Sequence, residues 1–190
     1  YFDSVYTVDN GVLPTHLTNV STDPELSSIT FNASIVSRTL EKLNVKSAGG
    51  PDGVPPIFLV KCCNDSAYPI AFIFQLFFDN SFLPHIWRKA YVTPVFKKGD
   101  STQVCNHRPI SLTCTLCKLM ESVIKDQLMH LLMLKGFINK QQHGFISKHS
   151  TITNLLDCTH DWSLSFHGKL PIGVVYIDFS KAFDSVVNSK

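Results

Sequence analysis

At 190 residues the chain fits one medium domain or part of a larger one, and its 44% hydrophobic and 17% charged residues exclude a disordered polyelectrolyte. The formal net charge of +2 hides a local excess. Between Asn80 and Met120 six bases (Arg88, Lys89, Lys97, Lys98, Arg108, Lys118) face one acid, Asp100, so this segment carries +5 and the remainder −3. Such a block suits a polyanionic partner or a solvated face.

Residues 1 to 30, rich in Thr, Ser, Asp, Asn and Pro, read as a lead-in with little core. Apolar positions Ile35, Val36, Leu40 and Leu43 predict a helix over Asn32 to Leu43. "KSAGGPDGVPP" then interrupts with three glycines and three prolines and must be a shaped loop. Helices are expected from Ile57 to Cys63 and from Ser66 to Asn80, the second apolar on nearly all sides and therefore buried. "RKAYVTPVFKKGD" reads as a strand entering a turn at Gly99-Asp100, and "RPISL" as the returning strand. The longest periodic segment, Thr113 to Leu134, places Leu116, Leu119, Met120, Val123, Ile124, Leu128 and Leu131 on one helix face. After the loop "QQHGFISKHST", Ser150 or Thr151 is expected to cap a helix running to about Ser165, and residues 172 to 178 to form a buried strand. Helices with three short strands make the class α+β.

The six cysteines form no disulfide framework. Cys114-x-x-Cys117 lacks a second ligand pair, so no zinc site is expected, and reduced, partly buried cysteines of an intracellular protein are. No signal peptide opens the chain, and its most apolar run, "PIAFIFQLFF", is too short to cross a bilayer. With Tyr1 first and Lys190 directly after a strong motif, the chain reads as a fragment.

That closing motif is "VVYIDFSKAFDSV". Asp178 ends an apolar run, where an unpaired carboxylate is costly. Its carboxylate either holds a hard divalent cation through oxygen or caps the following helix. Asp184 points away from Asp178 on such a helix and reads as a supporting acid.

"KSAGGPDGVPP", "WRKAYVTPVFKKGD", "NHRPISLTCTLCKLMES", "QQHGF" and "YIDFSKAFDSV", in this order, together resemble the reverse transcriptase domain of non-LTR (LINE-type) retrotransposons. The opening "YFDSVYT" resembles the lead-in between endonuclease and polymerase in such polyproteins. The resemblance implies a right-hand polymerase fold, with fingers plus a partial palm in residues 31 to 190, truncated before the second catalytic motif and thumb. It implies an RNA-directed DNA polymerase acting on an RNA template, a DNA primer and deoxynucleoside triphosphates through two Mg²⁺ ions. Asp178 matches the first catalytic, metal-binding aspartate, with the Phe179 carbonyl as a further ligand. Lys97 and Arg108 match contacts to the incoming triphosphate, and Phe183 matches the aromatic gate beneath its sugar, or else is a core aromatic. Lys98 is expected on template or primer phosphates, with Arg88 and Lys89 there or merely on the surface. Gly50 to Gly53, and Gln142, His143, Gly144 and Phe145, match loops along the template-primer, or else are structural turns. No membrane is implied; the intact element works in nucleus and cytoplasm as a ribonucleoprotein.

His107 departs from the tyrosine common before "RPIS". The family's aromatic-x-Asp-Asp motif does not occur before Lys190, so this chain alone is expected not to polymerise DNA and to leave residues 174 to 177 as an aggregation-prone edge. The alternative is a non-catalytic nucleic-acid-binding remnant.

Overall fold

Asn32 shows why the first helix begins where it does: its Oδ1 accepts the Ile35 N–H at 2.8 Å, satisfying an amide that the first turn leaves without a partner. The structure, a computed structural model, describes residues 28 to 179 together with Ala182 and Val186. The expected lead-in up to residue 27, and Lys181, Phe183 and Asp184, lie outside the described residues.

In chain order the elements are α1 (Ala33–Glu41), α2 (Pro56–Lys61), α3 (Cys63–Asp79), β1 (Ala90–Phe96), β2 (His107–Thr113), α4 (Thr115–Leu134) and α5 (Thr151–His167). The mixture bears out the α+β class, and each of the five expected helices is present within a few residues of its expected bounds. The chain forms two units, one running to Leu131 and the other from Leu132.

The first unit owns the core. Val36 and Leu40 of α1, Phe74 of α3, and Leu119 and Val123 of α4 are its most deeply buried side chains, with Cys114 between β2 and α4. Trp87, on a short 3₁₀ turn, stacks edge-on against Phe74 and Phe77 at ring distances of 6.0 and 5.6 Å. Ile29, inside the stretch read as lead-in, is buried here with Phe31. Two side-chain amides hold that segment by imitating a neighbouring strand. Gln75 accepts from Phe31 N–H (2.9 Å) and donates to Ile29 O (3.3 Å), while Gln127 accepts from Thr30 N–H (3.1 Å) and donates to Thr30 O (2.8 Å).

One expectation about α3 fails. Ala67, Ile70, Ala71 and Phe74 are buried, but Tyr68 and Phe72 are 73% and 63% exposed, and Ile73 and Leu76 are exposed too. The helix is apolar all round, yet the described residues cover only one of its faces. On α4, similarly, Leu119, Met120 and Val123 are buried as expected, whereas Leu128 is exposed.

In the second unit, α5 starts where the sequence suggests. Ser150 Oγ accepts the Thr153 N–H at 3.2 Å, and Thr153 Oγ1 accepts the Ser150 N–H at 2.8 Å, a reciprocal cap. Residues 172 to 178 overturn the expected third strand. Among the described residues they pair with no other segment, and the sheet is β1 with β2 alone. Val175, Tyr176 and Ile177 are more than 80% exposed rather than buried. β-Branched residues favour an extended backbone, but a strand forms only where a neighbour takes up its N–H and C=O groups. An apolar, unpaired segment of this kind templates association. We expect the chain to self-associate with rising concentration in light scattering, and Val175→Lys with Ile177→Lys to suppress this; an unchanged scattering profile would assign association elsewhere.

Candidate functional site

The β1–β2 hairpin presents the basic block. Its antiparallel register sets Val95 opposite Arg108 and Phe96 opposite His107, and the Lys97 N–H extends the ladder to Asn106 O at 2.8 Å. With a two-residue period, Lys97 and Val95 share a face with Arg108, while Phe96 and His107 stack edge-on at 5.6 Å on the other. Two cations separated by ten residues of sequence therefore reach one side of the hairpin tip, both exposed. Lys98 follows in the exposed turn.

Asn106 and Asp100 shape that turn. Asn106 Nδ2 donates to Asp100 O at 2.8 Å, and Asp100 Oδ1 accepts from Thr102 N–H (2.9 Å) and Thr102 Oγ1 (2.8 Å). These bonds to the ionised form hold the Asp100 carboxyl below its usual value. Gly99, at φ +87, faces the Asn106 side chain so closely that a Cβ would lie 2.8 Å from Nδ2. The tip is thus built by short-range bonds that the dipeptide Gly99-Asp100 does not by itself reveal.

The glycine-rich loop supports the hairpin's base. Gly53 N–H donates to Gly50 O at 3.1 Å, closing a turn over Pro51-Asp52. A Cβ on Gly50 would lie 2.4 Å from Cys114 Cα, so the loop's backbone rests directly on the β2–α4 junction. Gly50 therefore bears directly on the end of the hairpin, a contact that the spacing of "GGPDG" does not reveal. Cys114 and Cys117 are buried here, and burial raises both thiols, Cys117 to about 12, with Glu121 adding to the rise. The folded chain keeps protons that the unfolded chain releases above the ordinary value of 9.0. This contribution to stability is complete below that pH and is lost as pH climbs from 9.0 towards about 12. Iodoacetamide at about pH 8 should modify exposed Cys105 first and leave Cys114 and Cys117 intact until the chain unfolds, which peptide mapping reads directly; early labelling of either buried thiol would contradict their inert packing.

In the second unit, the "QQHGF" loop packs against α5 through His143. The His143 side chain is only 7% exposed, with Nε2 3.2 Å from Asp157 Oδ2 and Nδ1 2.9 Å from Thr153 Oγ1. It faces inward, onto α5, while Phe145 next to Gly144 is 91% exposed. Gln142 is exposed and its Nε2 donates to Gly144 O at 3.4 Å.

Asp178 and Phe179 are exposed in the unpaired segment after α5. Among the described residues no group of three or more His, Cys, Asp or Glu converges as a metal site. A single exposed carboxylate does not by itself fit a two-metal centre.

A family model described as reverse transcriptase (RNA-dependent DNA polymerase) matches residues 95 to 190, just over half of the chain. The chain belongs to the reverse transcriptase family. The match begins at the hairpin tip and runs through α4, the His143 loop, α5 and Asp178. Similar curated proteins, all from Drosophila melanogaster, include the RNA-directed DNA polymerase from mobile element jockey, 28% identical over 162 residues that make up 85% of this chain and 18% of that protein. The probable RNA-directed DNA polymerase from transposon BS is 27% identical over 152 residues, 80% of this chain and 17% of the relative. That from transposon X-element is 21% identical over 157 residues, 82% of this chain and 17% of the relative. The chain thus spans less than a fifth of the length of these relatives. Members of the reverse transcriptase family use divalent metal ions, a template and nucleotides. No helix among the described residues is long and apolar enough to cross a membrane.

Proposed function

We propose that this chain is the nucleotide- and template-facing part of an RNA-directed DNA polymerase of the non-LTR retrotransposon type. The observation that carries the reading is the hairpin tip, where Lys97 and Arg108 share one exposed face within the region matched to the family. On this reading the first unit belongs to the fingers of a right-hand fold, and the segment through Asp178 is the entry to the palm. Arg108 brings a planar fork that bonds two phosphate oxygens, and Lys97 a compact charge, together suited to a triphosphate. Lys98, Arg88 and Lys89 add sequence-blind contacts to template or primer phosphates. Asp178 and the Phe179 carbonyl would offer oxygen ligands to Mg²⁺, and Phe183 a steric check on the sugar. Two bound Mg²⁺ ions supply the activation of a primer hydroxyl and the neutralisation of phosphate charge. The full protein would work as a ribonucleoprotein in nucleus and cytoplasm, with an endonuclease and the rest of palm and thumb elsewhere in its polyprotein.

The isolation of Asp178 among the described acids favours a second reading for the chain by itself, a nucleic-acid-binding module without chemistry. Both readings are tested with a labelled RNA template annealed to a DNA primer. Binding should weaken log-linearly as salt rises, and replacing Lys97 and Lys98 by Ala should flatten the slope by about one to two. With Mg²⁺ and nucleotides this chain should bind and not extend; extension would show that its own carboxylates suffice. Absent or salt-insensitive binding would remove both readings.

A further inference from the structure

The β1–β2 hairpin is a ribbon with two edges. All seven residues of β1 are exposed, and among the described residues no third strand joins the pair. Edges of this kind recruit further strands, because each carries a row of N–H and C=O groups that a neighbour can take up. The side chains favour it too: Tyr91, Val92, Val95, Phe96 and Ile110 are exposed, apolar and β-prone.

Two prolines oppose that tendency. Pro94 lies directly opposite Pro109. The Lys97 N–H, which donates to Asn106 O at 2.8 Å, fixes the parity of the ladder. Pairs alternate in an antiparallel ladder, so Val95–Arg108 and Thr93–Ile110 exchange bonds. By the same alternation Phe96–His107, Pro94–Pro109 and Val92–Ser111 turn their backbone groups outward. A proline in an exchanging pair would remove a bond that holds the hairpin. Here each ring removes a donor from an outer edge instead. On β2 the next outward donor towards the tip, the His107 N–H, is already bound to Val104 O. Both edges are therefore blank at one level, and β2 offers no outward donor from Pro109 to His107.

We propose that Pro94 and Pro109 form a paired edge guard, which stops the hairpin of a second copy from adding edge to edge and so keeps the cationic tip unpaired. A single proline in an edge strand is common. Two at one level, one on each edge, at the parity that spares the hairpin's own bonds, close both edges together. Residues 172 to 178 are the contrast, an apolar run that contains no proline. The guard acts whatever the tip binds, so it stands or falls separately from the polymerase reading.

The test uses the 190-residue chain with Val175→Lys and Ile177→Lys, which disable the other association-prone run. Sedimentation follows the average mass of this background, and of proline variants made in it, over a concentration series. Pro94→Val restores one outward N–H and opens one edge, so its assemblies should stop at pairs, with mass rising about twofold. Pro94→Val with Pro109→Val opens both edges and should give assemblies that keep growing with concentration. Amide exchange locates the contact: Val92 and Phe96 should become protected as the assemblies form and stay fast in the background. Pro94→Lys with Pro109→Lys restores both donors but sets like charges against each other across an added strand, so its mass should match the background. Association of the lysine pair equal to that of the valine pair would point to disturbed folding rather than opened edges, and would overturn the inference. A valine pair whose mass matches the background at every concentration would overturn it as well, as would one that associates without protecting Val92 and Phe96.

Discussion

Lys97→Ala combined with Arg108→Ala is expected to weaken deoxynucleoside triphosphate binding by at least about 100-fold, measured by displacement of a fluorescent nucleotide. Each residue is proposed to make a charge-assisted hydrogen bond to phosphate, worth about 1.5–3 kcal/mol, and every 1.4 kcal/mol is about tenfold in affinity. The two side chains reach the same face because Val95 pairs with Arg108 and the ladder continues to Lys97. Neither is expected to support the fold, since both are exposed, so thermal unfolding should be unchanged. Arg108→Lys separates charge from geometry: it keeps the cation, loses the planar fork, and should cost about tenfold. A double variant that binds within about threefold of the parent would mean that the shared face serves some other anion, or none.

The second large effect is structural. Gly50→Ala should lower the stability of the first unit by about 3 kcal/mol, because overpacking of a rigid contact costs about 1–3 kcal/mol or more. The atoms that an added methyl would meet are backbone: Cys114 Cα at 2.4 Å, Cys114 N at 2.5 Å and Thr113 C at 2.6 Å. No rotamer change relieves such a clash; the loop or the β2–α4 junction must move. Gly53 is the internal control. It has φ +67 but open space around its missing Cβ, so Gly53→Ala should cost only about 1–2 kcal/mol of backbone strain. Urea unfolding in a Trp162→Phe background, where Trp87 reports on the first unit, distinguishes the two. Equal losses at both positions would show that conformation rather than contact sets the requirement for glycine. Because the junction continues β2, Gly50→Ala should also reduce triphosphate binding, which links the glycine-rich motif to the hairpin without direct contact with ligand.

Helices, hairpin and family could all be read from short stretches of the chain. Asn32 and Ser150 cap α1 and α5 through bonds spanning three residues, and "KKGD" between two β-prone runs is sufficient for a turn. Five motifs in order were enough to reach a family that the comparison with residues 95 to 190 then bore out. These signals are local, so neighbouring residues carry them whole. Burial and direction belonged to the tertiary structure. The apolar composition of α3 did not say that Tyr68 and Phe72 would face outward, nor did β-propensity supply residues 172 to 178 with a neighbouring strand. "QQHGF" likewise contained His143 and Phe145 without saying which would turn inward; that depended on Asp157 and Thr153, ten and more residues away on α5. The physical reason is common to all three. A residue's propensity is its own, but whether its side chain is covered, paired or presented depends on which surface the rest of the chain brings to it.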